Sequence, residues 1–320
     1  MRALITGING FVGDHLANYL QSCGIEVFGT TSQIDSRKST SNSEIFVNDL
    51  TNEISIIQLL NEVRPEHIYH LAGQSNVKES WESKQGTLNT NVNLTLNLLE
   101  AARKSEISDI VRILTIGSSE EYGRVADMTV SIDENVSLQP TNPYGISKAA
   151  VSYFAKQFFD AYGLKVIHAR TFNHIGPGQR LGFVVTDFAS QIVELEKVKG
   201  EKIIKVGNLE AQRDFTDVRD IVRAYYLLLS TASTSFGDVY NVCSGVPVTI
   251  RSILDKLLSL SEQSIEVIID TNKLRPIDIP LYIGNNQKIK QLTNWSPEYT
   301  LDATLFDVLD YMRAKNKVVQ

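Results

Sequence analysis

The run Arg2-Ala3-Leu4-Ile5-Thr6-Gly7-Ile8-Asn9-Gly10-Phe11-Val12-Gly13-Asp14-His15-Leu16 decides the fold. Its first five residues are strand-like, and from Phe11 onward the apolar positions take up helical spacing. Between the two, Gly7, Gly10 and Gly13 make a G-x-x-G-x-x-G. A tight turn there aims backbone N–H groups and the positive end of a helix dipole at a pyrophosphate, and glycine lets the backbone approach it. A strand-to-helix turn that needs glycine for its own geometry would show the same spacing. Position favours a dinucleotide, because the motif heads a repeating β-α-β series. Gly7, Asn9, Gly10, Phe11, Val12 and Gly13 are therefore the expected phosphate-binding residues.

Outward from this turn, apolar β-branched runs alternate with helical segments. Buried strands are expected near residues 25–30, 45–47, 67–71, 112–116, 165–170 and 239–242. Helices are expected at 11–21, 53–63, 89–105, 143–162 and 218–229. Right-handed β-α-β units of this kind build a parallel sheet covered on both faces. The fold class is α/β, a Rossmann-type doubly wound parallel sheet with a smaller C-terminal α/β substrate-binding lobe. After Phe172 the rhythm breaks at the Gly- and Pro-bearing stretch 176–182. Residues 1–175 are assigned to the dinucleotide-binding domain, with 214–243 returning to it, and 176–213 and 244–320 to the substrate lobe.

The 320 residues are 42% apolar, 8% aromatic and 21% charged, enough to bury a full core. A net charge of -6 from 37 acids interleaved with 31 bases offers no cationic block, so nucleic acid is not an expected partner. Cys23 and Cys243 form no CxxC and have no nearby histidine pair, which argues against a disulfide framework or a metal site. No apolar run reaches the roughly 18 residues that span a bilayer. With a strand-like MRALITG at the start, the cytoplasm is the expected location and a membrane is not an expected partner.

In many nucleotide-binding folds an acid near the end of the second strand holds the adenosine ribose hydroxyls. Thr30-Thr31-Ser32 stands there instead. Without a carboxylate to repel a 2′-phosphate, and with Arg37 and Lys38 following, Thr30 and its neighbours favour NADPH, with NADH also possible. Arg37 and Lys38 as solvated loop charges remain the alternative.

A second constellation concerns proton transfer. Pro143-Tyr144-Gly145-Ile146-Ser147-Lys148 opens a long helix with Asn142 as its cap, so Tyr144 and Lys148 fall at i and i+4 on one face. An ammonium beside a phenol is expected to draw the phenol's pKa down towards the working range of an acid/base catalyst. Tyr and Lys at this spacing also simply pack and snorkel. Ser118, at the carboxyl edge of the preceding strand, adds a third group where open α/β sheets bind ligands.

The segments LAGQSNVKESW, TIGSSEEYG, NPYGISKAA, TFNHIGPGQ, VGNLEAQRDFTDVRD and LRPIDIP, spread over nearly the whole chain, resemble the extended short-chain dehydrogenase/reductases of the nucleotide-sugar group. The resemblance implies that NADPH or NADH reduces the C4 ketone of a GDP-linked 4-keto-6-deoxy-D-mannose to GDP-D-rhamnose. Tyr144 would protonate the forming alkoxide, Lys148 would hold the nicotinamide ribose and Ser118 would orient the carbonyl. It further implies cofactor contacts at Asp49, Leu50, Leu71, Ala72 and Gly73, although a helix cap is the plainer role for Asp49. Ser119, Asn173, Arg213, Arg275 and Asp278 are implied at the GDP-sugar, the arginines because a guanidinium makes paired bonds to phosphate.

Glu120 leaves a second chemistry open. In sugar dehydratases of this group a glutamate at that place removes the C5 proton, and a carboxylate beside a keto sugar suits that step. Glu120 is thus either the base of a GDP-mannose 4,6-dehydratase or a hydrogen-bond partner of the sugar. FNHIGPGQ and RDFTDVRD depart from the dehydratase pattern and favour the reductase. A non-catalytic nucleotide-binding module is the reading from another class; such modules often lack the Tyr and Lys present here. The resemblance also implies a homodimer joined in a four-helix bundle by helices 89–105 and 143–162. Trp81 and Trp295 read as packing anchors.

Overall fold

A computed structural model describes residues 1–32, 43–125, 131–273 and 281–318. The chain runs through β1 (Arg2–Thr6), α1 (Phe11–Ser22), β2 (Glu26–Thr31), β3 (Glu44–Val47), α2 (Glu53–Val63) and β4 (His67–His70). Next come α3 (Val77–Glu82), α4 (Lys84–Leu88), α5 (Leu94–Lys104), β5 (Arg112–Ile116), α6 (Pro143–Tyr162), β6 (Lys165–Thr171) and β7 (Asn173–Ile175). It continues with α7 (Val184–Lys197), β8 (Ile203–Val206), β9 (Gln212–Asp217), α8 (Val218–Ser230), β10 (Val239–Val242), β11 (Pro247–Thr249) and α9 (Ile250–Ser259). It ends with β12 (Glu266–Ile269), β13 (Leu281–Tyr282), α10 (Gln287–Thr293) and α11 (Leu301–Val318).

Seven strands pair in the order β10-β6-β5-β4-β1-β2-β3, every pair parallel. The order reverses between β1 and β4, which opens a crevice at the carboxyl ends of those strands. Alternation on β1 builds both faces: Ala3 and Ile5 join the core under α1 and α8, while Leu4 joins the core under α2, α5 and α6. This is the doubly wound Rossmann-type sheet the sequence predicts.

The smaller lobe has its own core, where α7, α9 and α11 cover β8, β9 and β12 through Ile192, Leu254, Leu257, Val308 and Leu309. Strand β9 pairs with β7, β11 and β13 rather than with the large sheet. The return expected from residue 214 therefore starts at Val218, where α8 packs on α1 and β10 rejoins β6. Not all of the C-terminal segment stays with the small lobe either, since Ile289 and Trp295 complete the large core.

Trp295 is fully buried and donates its indole N–H to the Asp220 carbonyl at 3.0 Å. The buried Asp220 carboxylate accepts from the Glu298 and Tyr299 amides, each at 3.0 Å, and from Arg223. Trp81, by contrast, is 53% exposed and anchors no core, a correction to its sequence reading. Truncation of Trp295 to Ala should cost about 3–5 kcal/mol of unfolding free energy, measurable as a lowered urea midpoint, whereas Trp81→Ala should stay within about 0.5 kcal/mol.

Candidate active site

The glycine turn is built for close approach. Gly7 has φ +70°, and a Cβ there would stand 3.0 Å from the Ala72 backbone. A Cβ on Gly13 would lie 2.5 Å from the Ile8 carbonyl oxygen and 2.6 Å from that of Gly7. Asn9 and Gly10 are exposed at the sheet edge, with Phe11 and Val12 half-buried behind them. Thr30 holds the turn through its main chain: its carbonyl accepts the Gly7 N–H at 2.9 Å and the Ile8 N–H at 3.3 Å. Its side chain is buried, and Thr31 is the half-exposed residue at the strand end. Arg37 and Lys38 lie outside the described residues.

Leu71, Ala72 and Gly73 lie against this turn. The Leu71 N–H reaches the Thr6 carbonyl at 3.2 Å, and the Ala72 N–H reaches Thr6 Oγ1 at 3.1 Å. Thr6 Oγ1 also meets buried His70 Nδ1 at 2.8 Å, and His70 Nε2 meets Thr95 Oγ1 at 3.0 Å. Thr95 spends its own proton on the Asn91 carbonyl, so His70 must donate through Nε2 and accept through Nδ1. Burial, aided by nearby Lys148, lowers the His70 pKa to about 3, in keeping with this neutral ring. A Cβ on Gly73 would stand 3.1 Å from Asn91 Oδ1 and 3.7 Å from Lys148 Nζ, so this glycine edges the same crevice.

Asp49 is exposed and accepts the Thr51 N–H at 2.9 Å, which lowers its pKa. Asn52, not Asp49, caps α2. Leu50 is a core residue whose carbonyl accepts from Asn97 Nδ2 at 2.9 Å.

Helix α6 starts as its sequence dictates. Asn142 Oδ1 accepts the Gly145 N–H at 2.8 Å, Pro143 occupies the first turn and Gly163 ends the helix at φ +69°. This start places Tyr144, buried, beside the end of β5. The nearby Ser118 hydroxyl favours the phenolate, but burial dominates and pushes the pKa of the phenol well above the ordinary value. Glu120 and Glu121 push it in the same direction. Burial outweighs the lowering that the sequence reading expected from Lys148. Its Nζ donates to the Ile116 carbonyl at 2.8 Å and stands 5.9 Å from the Tyr144 ring centroid. Burial lowers its own pKa to about 8, against the nearby Glu121 charge.

Ser118 begins a short 3-10 turn, Ser119–Glu121, and its Oγ accepts the Glu120 N–H at 3.2 Å. Its O–H remains for donation to the phenol or to a ligand. Glu120 is half-buried, and its carboxylate accepts from Asn142 Nδ2 at 2.7 Å. The buried Ser119 offers its carbonyl to the Tyr282 hydroxyl at 2.8 Å, which ties the edge of the small lobe to this turn.

Asn173 and Arg213 come together on adjacent strands. Asn173 sits opposite Phe215 and donates to the Asp214 carbonyl at 3.2 Å, and Arg213 Nη1 donates to the Gln212 carbonyl at 2.8 Å. Arg275 and Asp278 lie outside the described residues. The two lobes also touch at the glycine turn: the Phe11 ring stacks on His174 at 6.2 Å, and His15 Nε2 donates to the Pro177 carbonyl at 2.8 Å.

Sequence reasoning missed Asn91, Glu121, His168, Arg170 and Tyr282. Asn91 sits in a π-helical turn, Asn89–Asn93, that interrupts the single helix expected over 89–105. It binds Gln74 through both side-chain atoms and donates to Ser147 Oγ, whose hydroxyl donates to the Tyr144 carbonyl. The doubled acid Glu120-Glu121 was the available signal for the second carboxylate.

The profile of the family described as GDP-mannose 4,6 dehydratase matches residues 4–308. A GDP-6-deoxy-D-mannose reductase of Pseudomonas aeruginosa is 34% identical over 308 residues, 96% of either chain. The human GDP-mannose 4,6 dehydratase is 27% identical, over 94% of this chain and 88% of its own. Among solved structures, RMD from Pseudomonas aeruginosa complexed with NADPH aligns with a TM-score of 0.84 at 32% identity, over 98% of this chain and 99% of that one. The UDP-glucose 4-epimerase of Thermus thermophilus complexed with NAD aligns at 0.85 with 27% identity, over 98% and 99%. A profile that spans almost all of the sequence, and a relative this similar along its whole length, lead to one conclusion: the chain belongs to the GDP-mannose 4,6 dehydratase family.

Proposed function

We propose that the protein reduces the C4 ketone of GDP-4-keto-6-deoxy-D-mannose to GDP-D-rhamnose with NADPH, as the likeness to a GDP-6-deoxy-D-mannose reductase supports. The observation that carries the chemistry is the buried phenol of Tyr144, kept protonated by burial, with the Ser118 hydroxyl nearby at the carboxyl edge of the sheet. A phenol in that state is a proton donor, which is what a ketone needs as it becomes an alkoxide. The glycine cradle suits a dinucleotide, since Gly7, Gly13 and Gly73 leave no room for side chains and Asn9 and Gly10 are open to a ligand. When bound, the dinucleotide supplies the hydride.

The chain's own groups do the rest. Ser118 donates to the substrate carbonyl, Tyr144 delivers its proton to that oxygen and the Lys148 ammonium offsets the phenolate left behind. Arg213 and Asn173 offer charge and an amide to the GDP end, and Arg275 and Asp278 join them in this reading. A second reading, dehydration of GDP-mannose, is favoured by the half-buried Glu120 carboxylate beside Tyr144. Its bond to the Asn142 amide supports a holding role instead. The unbridged Cys23 and Cys243 suit the cytoplasm, and among the described residues no helix is long and apolar enough to cross a membrane.

Addition of GDP-4-keto-6-deoxymannose to protein and NADPH should lower the absorbance at the reduced nicotinamide band. No loss of that band, with turnover of GDP-mannose when no reductant is added, would favour the dehydratase instead. In the same assay Tyr144→Phe should lower kcat by about 100-fold or more, since a positioned acid contributes that much. The lysine is charged below its pKa, so kcat should fall as pH rises through about 8, read from a pH profile at saturating substrate. The proposed homodimer uses α5 and α6, where Ile146 and Tyr153 lie seven residues apart and are 50% and 66% exposed. Tyr153→Asp should convert a sedimenting dimer to monomer.

A further inference from the structure

Beneath Ser118 lies a carboxylate that proton transfer itself does not touch. Glu121 is fully buried. Its Oε1 accepts the Ser118 N–H at 2.8 Å and the His168 Nε2–H at 3.0 Å, and its Oε2 accepts the Arg170 Nε–H at 2.7 Å. Arg170 continues to Tyr122 Oη at 3.2 Å and Ser152 Oγ at 3.1 Å, and the Tyr122 hydroxyl donates to Asn241 Oδ1 at 2.7 Å. One anion thus joins the turn after β5 to β6, to the middle of α6 and to β10. Burying such a pair costs several kcal/mol per ion before its attraction is counted, and apolar residues of equal volume often stabilise a core as well or better. Stability alone is therefore a weak reason for a carboxylate here.

We infer that Glu121 is a positioning residue for the proton transfer: it fixes the Ser118 backbone, and through it the hydroxyl, against Tyr144, and it supplies the buried negative charge beside Lys148. The inference rests on the roles proposed above for Ser118, Tyr144 and Lys148. The charged and titratable groups around the phenol and the ammonium come from every packed element. From the turn after β5 come Glu120 and Glu121, from β6 His168 and Arg170, from β4 His70 and from α8 Tyr225. His70 and His168 are pushed towards the neutral form by burial, and Arg170 is paired with Glu121. Glu121 is the group that favours the ammonium of Lys148 over its neutral amine.

The test uses Glu121→Gln and, because that variant strands the Arg170 charge, also the double variant Glu121→Met with Arg170→Met. Each is checked for folding by circular dichroism and thermal melting, then assayed for NADPH oxidation with the keto sugar. In whichever variant folds, kcat should fall at least about tenfold while KM for both substrates stays within about threefold, since the GDP and dinucleotide contacts lie elsewhere. Loss of the anion lowers the Lys148 pKa, so the alkaline limb of the kcat profile should move to lower pH by about one unit. A folded variant with kcat within twofold and an unmoved limb would overturn the inference, as would failure of both variants to fold, which would make Glu121 a residue of the fold. Tyr144→Phe run alongside separates the two readings. If it stays active the site itself is wrongly assigned; if it is inactive while the Glu121 variants work normally, only the present inference fails.

Discussion

Helix α1 can begin where it does only because position 13 carries no side chain. Its backbone there presses on the carbonyls of Ile8 and Gly7 at distances no Cβ would tolerate, while the Thr30 carbonyl takes up the N–H groups of Gly7 and Ile8. That contact sets the end of β1, and the end of β1 sets the rest. Thr6 orients His70 and receives the Ala72 N–H, and Ala72 in turn fills the space that a residue other than glycine would need at position 7. The crevice at the switch point of the sheet is thus walled by backbone packing at one strand end.

Across that crevice, the acid/base groups sit under an electrostatic regime set by burial. Desolvation pushes the Tyr144 phenol and the Lys148 ammonium towards their neutral forms, upward for one and downward for the other. Both shifts arise from one environment and bring the two values apart, not together. A desolvated lysine keeps its charge only with help, and the carboxylate that favours its charge is Glu121. The arrangement suits a resting phenol that holds its proton.

Much of this was legible in the residues. The Gly7 to Gly13 spacing, the Asn142 cap and the i, i+4 pair of Tyr144 and Lys148 depend on local geometry, and local geometry is what a sequence writes down. The π-turn at Asn89–Asn93 escaped because helical periodicity barely registers one extra residue. Glu121, His168 and Arg170 escaped because their meaning is tertiary: one acid in a doubled pair turns inward because an imidazole N–H and a guanidinium on β6 stand behind it. The return to the large domain was expected from 214 and begins at 218, since the short segment Asp214-Phe215-Thr216-Asp217 does not say which strand it will pair with. The electrostatic expectation for Tyr144 failed for a similar reason, as the burial that outweighs its charged neighbours is tertiary.

The stacking of Phe11 on His174 joins parts of the molecule that were separate in the sequence argument. Phe11 follows the glycine turn and His174 lies on the strand that leads into the smaller lobe, and His15 grips Pro177 a turn further on. The lobes therefore share a wall rather than facing each other across a gap. Any swing of the smaller lobe would have to unstack that ring pair and break that imidazole bond, so the glycine turn is a hinge point held shut.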